Sequence, residues 1–309
     1  MKKVRGFLQK TGYPPGELYA LPSSQKRFPD GAQYRIEIPS TEGPRALAAV
    51  LEAADKYGVT IHRVSQGSGI WMLTDEEIRE MCRLGAEAGI EVSLFVGPRA
   101  AWGASAQVRS SAGKNLGARL RGMDEVVYAT EDIIRGCELG LRSVLVADEG
   151  QLWLVNEMKK AGELPADLVV KISVQMGAAN PISIKLLEDM GAGTYNTPTD
   201  LTLPQMAAIR AAIDIPLDVY VEAPDDFGGF VRHYETPELI RVASPVYVKL
   251  GLRNAANIYP SGLHIEDLAV KQSQERAHRT ALVMNIIERY AGDAVMGEVG
   301  AADLGIPVV

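Results

Sequence analysis

The sequence predicts one (β/α)8 barrel of the α/β class. Strand-like and helix-like segments alternate strictly, eight of each, and the alternating block spans residues 34–290, the usual size of such a barrel. No G-x-G-x-x-G follows the first strand, which disfavours the runner-up, an open doubly wound dinucleotide-binding sheet. Residues 1–33 form a Pro- and Gly-punctuated N-terminal extension. Residues 291–309 form a tail with no clear period.

The first strand is "YRIEIP" (34–39), followed by the helix "RALAAVLEAADKYG" (45–58). "TIHRVSQ" (60–66) leads to "TDEEIREMCRLGAEAG" (74–89), where Thr74 and Glu77 have capping-box spacing. "IEVSLFVGP" (90–98) precedes a long basic loop (98–122) carrying Arg99, Arg109, Lys114, Arg119 and Arg121, a candidate lid or binding loop, and then a helix over 123–140. "SVLVADE" (143–149) feeds "QLWLVNEMKKAG". "DLVVKISVQ" (167–175) feeds "PISIKLLEDMG", whose Pro181 suits a first helical turn. "GTYNTP" (193–198) precedes "LPQMAAIRAAID". "PLDVYVEAPDD" (216–226) precedes "TPELIRVA", and "PVYVKLG" (245–251) precedes a last helix across 264–290.

In a barrel the apolar alternate residues of each strand meet the helices, so the others point inward. Strand by strand these are Arg35 and Glu37; His62 and Gln66; Ser93 and Phe95; Leu145, Ala147 and Glu149; Lys171, Ser173 and Gln175; Thr194 and Asn196; Asp218, Tyr220 and Glu222; Tyr247 and Lys249. A one-residue slip would exchange His62 for Arg63, or Glu149 for Asp148. Such an interior is far more polar than the branched aliphatics that usually fill barrels. Its charges must pair or meet a ligand, because an unpaired buried charge costs several kcal/mol. Arg35 and Asp218, near the N-terminal strand ends, read as structural pairing. Residues nearer the C-terminal rim, Glu222 among them, read as functional.

Three chemistries use this set, and spacing does not choose among them. Glu37, Glu149 and Glu222, with His233 added, form a candidate divalent-metal set suited to manganese, magnesium or zinc. A carboxylate base beside a lysine is the second. A desolvated Lys171 or Lys249 forming a Schiff base is the third.

Composition narrows the field. The 309 residues are 47% hydrophobic and 23% charged, an ordinary globular balance, and the net charge of -7 argues against a nucleic-acid binder. No apolar run reaches membrane-spanning length and no secretory signal opens the chain, so a cytoplasmic protein without membrane association is expected. Cys82 and Cys137 lack a CxxC partner, so a cysteine-ligated zinc or iron–sulfur centre is not expected.

The stretch "MGAGTYNTPTDLTLPQMAAIRAAIDIPLDVYVEAP" (190–224) resembles the peptidase U32 family, the collagenase-like protease group. The family pattern is a Gly-Ala before a strand, an "LSLEE-I" helix start and then "LEVFVHG". "GAGTYN", "LTLPQMAAI" and "LDVYVEA" occupy those places, and the resemblance extends loosely over 34–250. It implies a barrel-like catalytic domain and a peptidase-like hydrolase. Cysteines follow the matching strand in the family signature, whereas "APDDFGGFVRHYE" stands here, so no iron–sulfur cluster is implied.

The resulting expectation is a hydrolase acting on a small polar, amide-containing or peptide substrate at the barrel mouth. Glu37, Glu149, Glu222, Lys171 and Lys249 would carry the chemistry. Gln66, Arg99, Gln175, Asn196, Tyr220, Asp225 and Arg253 would bind the substrate. The alternatives are a Schiff-base aldolase or lyase, a metal-dependent isomerase, and a non-catalytic binding or assembly subunit. The apolar "LGIPVV" is a candidate contact in a homo-oligomer.

Overall fold

The computed structural model describes residues 1–103 and 106–309, with the side chains of Ala112, Lys114 and Asn115 outside the description; the expected role of Lys114 in the basic loop therefore falls outside it too. Eight parallel strands close into a barrel in sequence order: β1 (Tyr34–Pro39), β2 (Arg63–Ser65), β3 (Glu91–Phe95), β4 (Ser143–Val146), β5 (Val169–Ile172), β6 (Thr194–Asn196), β7 (Leu217–Glu222) and β8 (Val246–Leu250). β8 returns to β1 in register, with Tyr247 opposite Arg35 and Lys249 opposite Glu37. Closure leaves no unpaired strand edge.

An N-terminal helix, α1 (Lys2–Lys10), precedes the barrel and buries none of its residues. The helical layer then runs α2 (Pro44–Tyr57), α3 (Asp75–Ala88), α4 (Gly122–Glu138), α5 (Glu149–Ala161), α6 (Pro181–Asp189), α7 (Leu203–Ala212), α8 (Thr236–Ala243) and α9 (Glu266–Tyr290). Among the described residues no helix is long and apolar enough to cross a membrane. The starts follow local chemistry. Thr74 and Glu77 close the expected capping box of α3, Asn180 caps α6 ahead of Pro181, and the Asp148 carboxylate accepts from the Gly150 and Gln151 amides to start α5. α3 stops at Gly89, whose φ of 65° suits glycine.

The apolar strand residues do face the helices. Ile36, Ile38, Val92, Leu94, Val144, Val146, Val170, Ile172, Val219 and Val248 belong to one continuous core with the inner faces of α2 to α9. Each such side chain, fully withdrawn from water, contributes roughly 1.5–3 kcal/mol. Two strands depart from expectation. In β2, Arg63 and Ser65 point inward in place of His62, because pairing with β1 sets Glu37 opposite Arg63. His62 lies one residue before the strand, accepts from the Ile36 amide at 3.1 Å and donates from Nε2 to the Gly297 carbonyl at 2.8 Å. Burial holds it neutral, its pKa lowered to about 4. β4 ends at Val146, and capping by Asp148 converts what reads as its last residue, Glu149, into the first residue of α5.

The extension and the tail close the N-terminal face of the barrel. Arg35 is fully buried there, stacked over the Phe28 ring at 4.1 Å, and donates to Asp30 at 2.9 Å and to both oxygens of Asp303 at 2.8 Å. Phe28, Ala32, Tyr247, Ala301 and Leu304 make a small apolar cluster beneath it. The tail crosses successive turns: Gly297 donates to Tyr34, Gly300 to Gly89 and Val308 to Gly140. The apolar segment "LGIPVV" packs partly on its own barrel, with Leu304, Gly305 and Pro307 buried and Val308 and Val309 exposed.

Candidate functional site

Above the plugged end, the barrel axis holds six ionised side chains of balanced sign. Arg63 donates to Glu91 (Nη2 to Oε2, 3.2 Å), to Asp218 (3.1 Å) and to Glu37 (3.4 Å), and its guanidinium lies 3.6 Å over the Tyr247 ring. Lys171 bridges Glu37 (2.7 Å) and Asp218, and Lys249 reaches the other oxygen of Glu37 at 2.9 Å. Ser65 also donates to Glu37, at 2.7 Å. Glu37 is therefore shared by three cations. Burial opposes its ionisation, but Lys171, Lys249 and Arg63 together hold it well below the usual carboxylate range. Lys171 is drawn down to about 8, chiefly by burial and against the pull of Asp218 and Glu37.

Over this network the mouth opens into a cavity of about 840 Å³. Lys249, Asn196 and Tyr220 form its floor. With its amide oxygen turned toward the ammonium, Asn196 accepts from Lys249 at 2.9 Å and donates to the Asp218 carbonyl at 3.2 Å. The Tyr220 ring lies 4.7 Å from the Lys249 nitrogen. Phe95, Arg99 and Trp102 form one wall. Ser173, Gln175 and Met176 form another, and Gln272 and Arg276 reach in from α9. Asp225, Asp226 and Phe227 stand on the rim.

Of the expected residues, the structure brings Lys249, Asn196 and Tyr220 together at the floor, Glu37 and Lys171 in the network beneath it, and Gln66, Arg99, Gln175 and Asp225 around the cavity. Four placements need correction. Glu149, half exposed, is paired with Arg119 on the outside of the rim. Glu222 is displaced from the inward set by a register shift between Tyr220 and Glu222 against β8. Its carboxylate receives His233 Nε2 and the Arg253 amide, each at 2.9 Å, and these keep it below the usual range although burial opposes them. His233 is accordingly engaged with Glu222, and Arg253 pairs with Asp225 in place of an incoming anion. The metal set Glu37, Glu149, Glu222 and His233 is thus dispersed, and no three His, Cys, Asp or Glu side chains among the described residues are grouped as a metal would need.

Reasoning from sequence missed Glu91, Gln272 and Arg276, and offered Arg63 only as the residue that a one-place slip of β2 would bring inward. Glu91 had a visible signal, since it alternates in phase with Ser93 and Phe95. Arg276 had a subtler one. Gln272, Arg276 and Thr280 follow each other at helical spacing on the face of α9 that also carries Ala269, Val283 and Ile287, where apolar residues are the rule.

Fold and cavity define a closed (β/α)8 barrel with a lysine-floored polar mouth. No protein-family model matches the chain, and no curated protein matches it in sequence. Solved structures that it resembles include a U32 peptidase (18% identity, TM-score 0.41, covering 66% of this chain and 74% of that one). A truncated 3-deoxy-D-arabino-heptulosonate 7-phosphate synthase from Thermotoga maritima matches at 13% identity and a TM-score of 0.45, over 86% of this chain and 91% of that one. Dihydrodipicolinate synthase from Bacteroides thetaiotaomicron matches at 13% identity and 0.44, over 82% and 81%. At these identities the likeness is one of fold.

Proposed function

We propose that the chain is a lysine-dependent lyase or aldolase that holds a small carbonyl compound as an imine on Lys249. The observation that supports this is the position of Lys249: it is the sole lysine in the described lining of the cavity, its nitrogen lies on the floor, and Glu37 sits directly behind it. The carboxylates first considered for base chemistry either point elsewhere, as do Glu149 and Glu222, or are engaged by three cations, as is Glu37.

The chemistry follows from that placement. The Lys249 ammonium first releases a proton and its amine adds to the carbonyl carbon; a C–N bond forms as the C=O π pair moves to oxygen, and return of the released proton to that oxygen lets water leave, giving a cationic iminium. Glu37, held ionised, faces that cation and favours it over a neutral carbinolamine. The iminium then accepts the electron pair of an adjacent C–C or C–H bond as it breaks. Lys171 does not line the cavity, but it shares Glu37 with Lys249, and a pKa near 8 makes its ammonium able to give up a proton close to neutral pH. A U32-type hydrolase is the second reading, supported by the motifs at 190–224 and drawing any base chemistry from Glu37.

Borohydride reduction in the presence of pyruvate or glycolaldehyde, followed by peptide mass spectrometry, tests the first reading. A reduced adduct on Lys249, absent from Lys249→Met, is the expected result. Absence of an adduct at Lys249 with both probes would overturn it in favour of the hydrolase.

A further inference from the structure

The cavity wall holds two arginines whose hydrogen bonding is incomplete. A third buried arginine shows what completion looks like. Arg210 directs Nε, Nη1 and Nη2 at the carbonyls of Ala243, Ile213, Asp214, Ile215 and Pro245, which makes it a clamp for the turn between α7 and β7. Arg99 is equally buried, yet among the described residues it donates to one acceptor, the Gly67 carbonyl, and its Nε has no partner. Its plane is fixed by two rings, Phe95 at 3.7 Å and Trp102 at 4.2 Å. Arg276, from α9, donates to the Ser40 carbonyl at 3.1 Å and to Gln272 at 3.1 Å, and its Nε is likewise unpartnered. Neither forms an ion pair with a carboxylate among the described residues. Glu42, the acid whose field both feel, is bonded instead to the Gly67 and Ser68 amides and the Ser68 hydroxyl.

A buried guanidinium without a counter-ion is costly, and burial accordingly lowers the Arg99 pKa to about 10. The cost is recovered only when an anion supplies acceptors. Stacking holds Arg99 flat, the geometry for bidentate capture of a planar or tetrahedral oxyanion. Asp225 and Asp226, the carboxylates of the lining, stand at the rim, and the first is paired with Arg253.

We infer that Arg99 and Arg276 form an anion subsite in the mouth cavity, so that its ligand carries a carboxylate or phosphate group held away from the carbonyl that meets Lys249. The inference rests on the cavity being the substrate site, as in the reading above, but not on imine chemistry. Carboxylate and phosphate share the same recognition, and separate probes distinguish them.

The test is calorimetric titration of the full chain with malonate and, separately, with inorganic phosphate at constant ionic strength. Wild type and Lys249→Met are expected to bind one of the two. Arg99→Gln and Arg276→Gln should each weaken that binding at least about tenfold, the effect of losing a charge-assisted hydrogen bond. Tighter malonate binding assigns a carboxylate group to the ligand, and tighter phosphate binding a phosphate. Should neither probe bind wild type, or should both arginine variants bind as wild type does, the subsite is refuted. Because Lys249→Met keeps both arginines, anion binding without any borohydride adduct would sink the imine and leave the subsite standing.

Discussion

Glu37→Gln is the most informative single change to the barrel interior. The substitution preserves shape and removes one negative charge from a set of three cations (Arg63, Lys171, Lys249) and three anions (Glu37, Glu91, Asp218), leaving a buried excess of one positive charge. Breaking a buried ion pair on one side costs roughly 3–5 kcal/mol. One means of relief is for Lys171 to lose its proton. With a folded pKa of about 8, that loss costs about 1.4 kcal/mol at pH 7, so the variant should settle near the lower figure, about 3 kcal/mol less stable.

The pH dependence gives a sharper check. Lys171 is depressed from 10.5 to about 8 on folding, so the folded state binds fewer protons than the unfolded state between those values. Stability therefore rises with pH across that window and is lost as pH falls through 8. In Glu37→Gln, Lys171 is already neutral at pH 7, so the variant gains along the full interval from pH 7 to 9 while wild type gains along about half of it. The stability gap should narrow by about 1.4 kcal/mol between pH 7 and pH 9. Urea unfolding of both proteins at the two pH values measures it. A gap that does not change with pH, or a loss below about 1 kcal/mol at pH 7, would refute the shared-carboxylate account.

Two further predictions concern the margins of the barrel. Asp303→Ala leaves the fully buried Arg35 with Asp30 as its one carboxylate beside the Tyr247 hydroxyl and should cost about 1–3 kcal/mol, read as an earlier urea midpoint with an unchanged slope. Glu149→Gln, which affects only the outer pair with Arg119, should leave imine trapping on Lys249 within about twofold of wild type and stability within about 1 kcal/mol; a larger loss of trapping would return Glu149 to the site.

The barrel was readable from the chain because its strands carry apolar alternates for the helices and six of the helices, α2, α3, α5, α6, α7 and α8, begin with a recognisable cap or proline. Register was harder where a strand is short. β2 is three residues long, and His-Arg-Val-Ser offers a polar side chain in either phase, so only pairing with β1 decides that Arg63 enters the barrel. At β4 the apolar run suggested a longer strand, but the side-chain bonds of Asp148 to the next amides overrode it and turned Glu149 outward. The floor residues Asn196, Tyr220 and Lys249, and Glu37 and Lys171 beneath them, were visible as polar alternates. Glu222 shared their phase and was lost to a register shift that no residue pattern announces. Arg276 was hidden for another reason: it reaches the mouth from a helix, and strand alternation says nothing of what a helix sends across the rim.

The clasp on Arg35 also bears on the order in which the molecule can be completed. Arg35 lies in the first strand and Asp303 lies 268 residues later. At ribosomal rates of about 5–20 residues per second, the two are made on the order of tens of seconds apart. Throughout that interval β1 carries a guanidinium bound for the interior with only Asp30 to oppose it, and β8, its other neighbour, is made nearly as late. A chain whose first strand waits for its last contacts depends on non-local closure, the feature that slows folding across proteins generally. The nascent barrel should therefore stay open at the β1–β8 seam until the segment beyond α9 arrives to lock it.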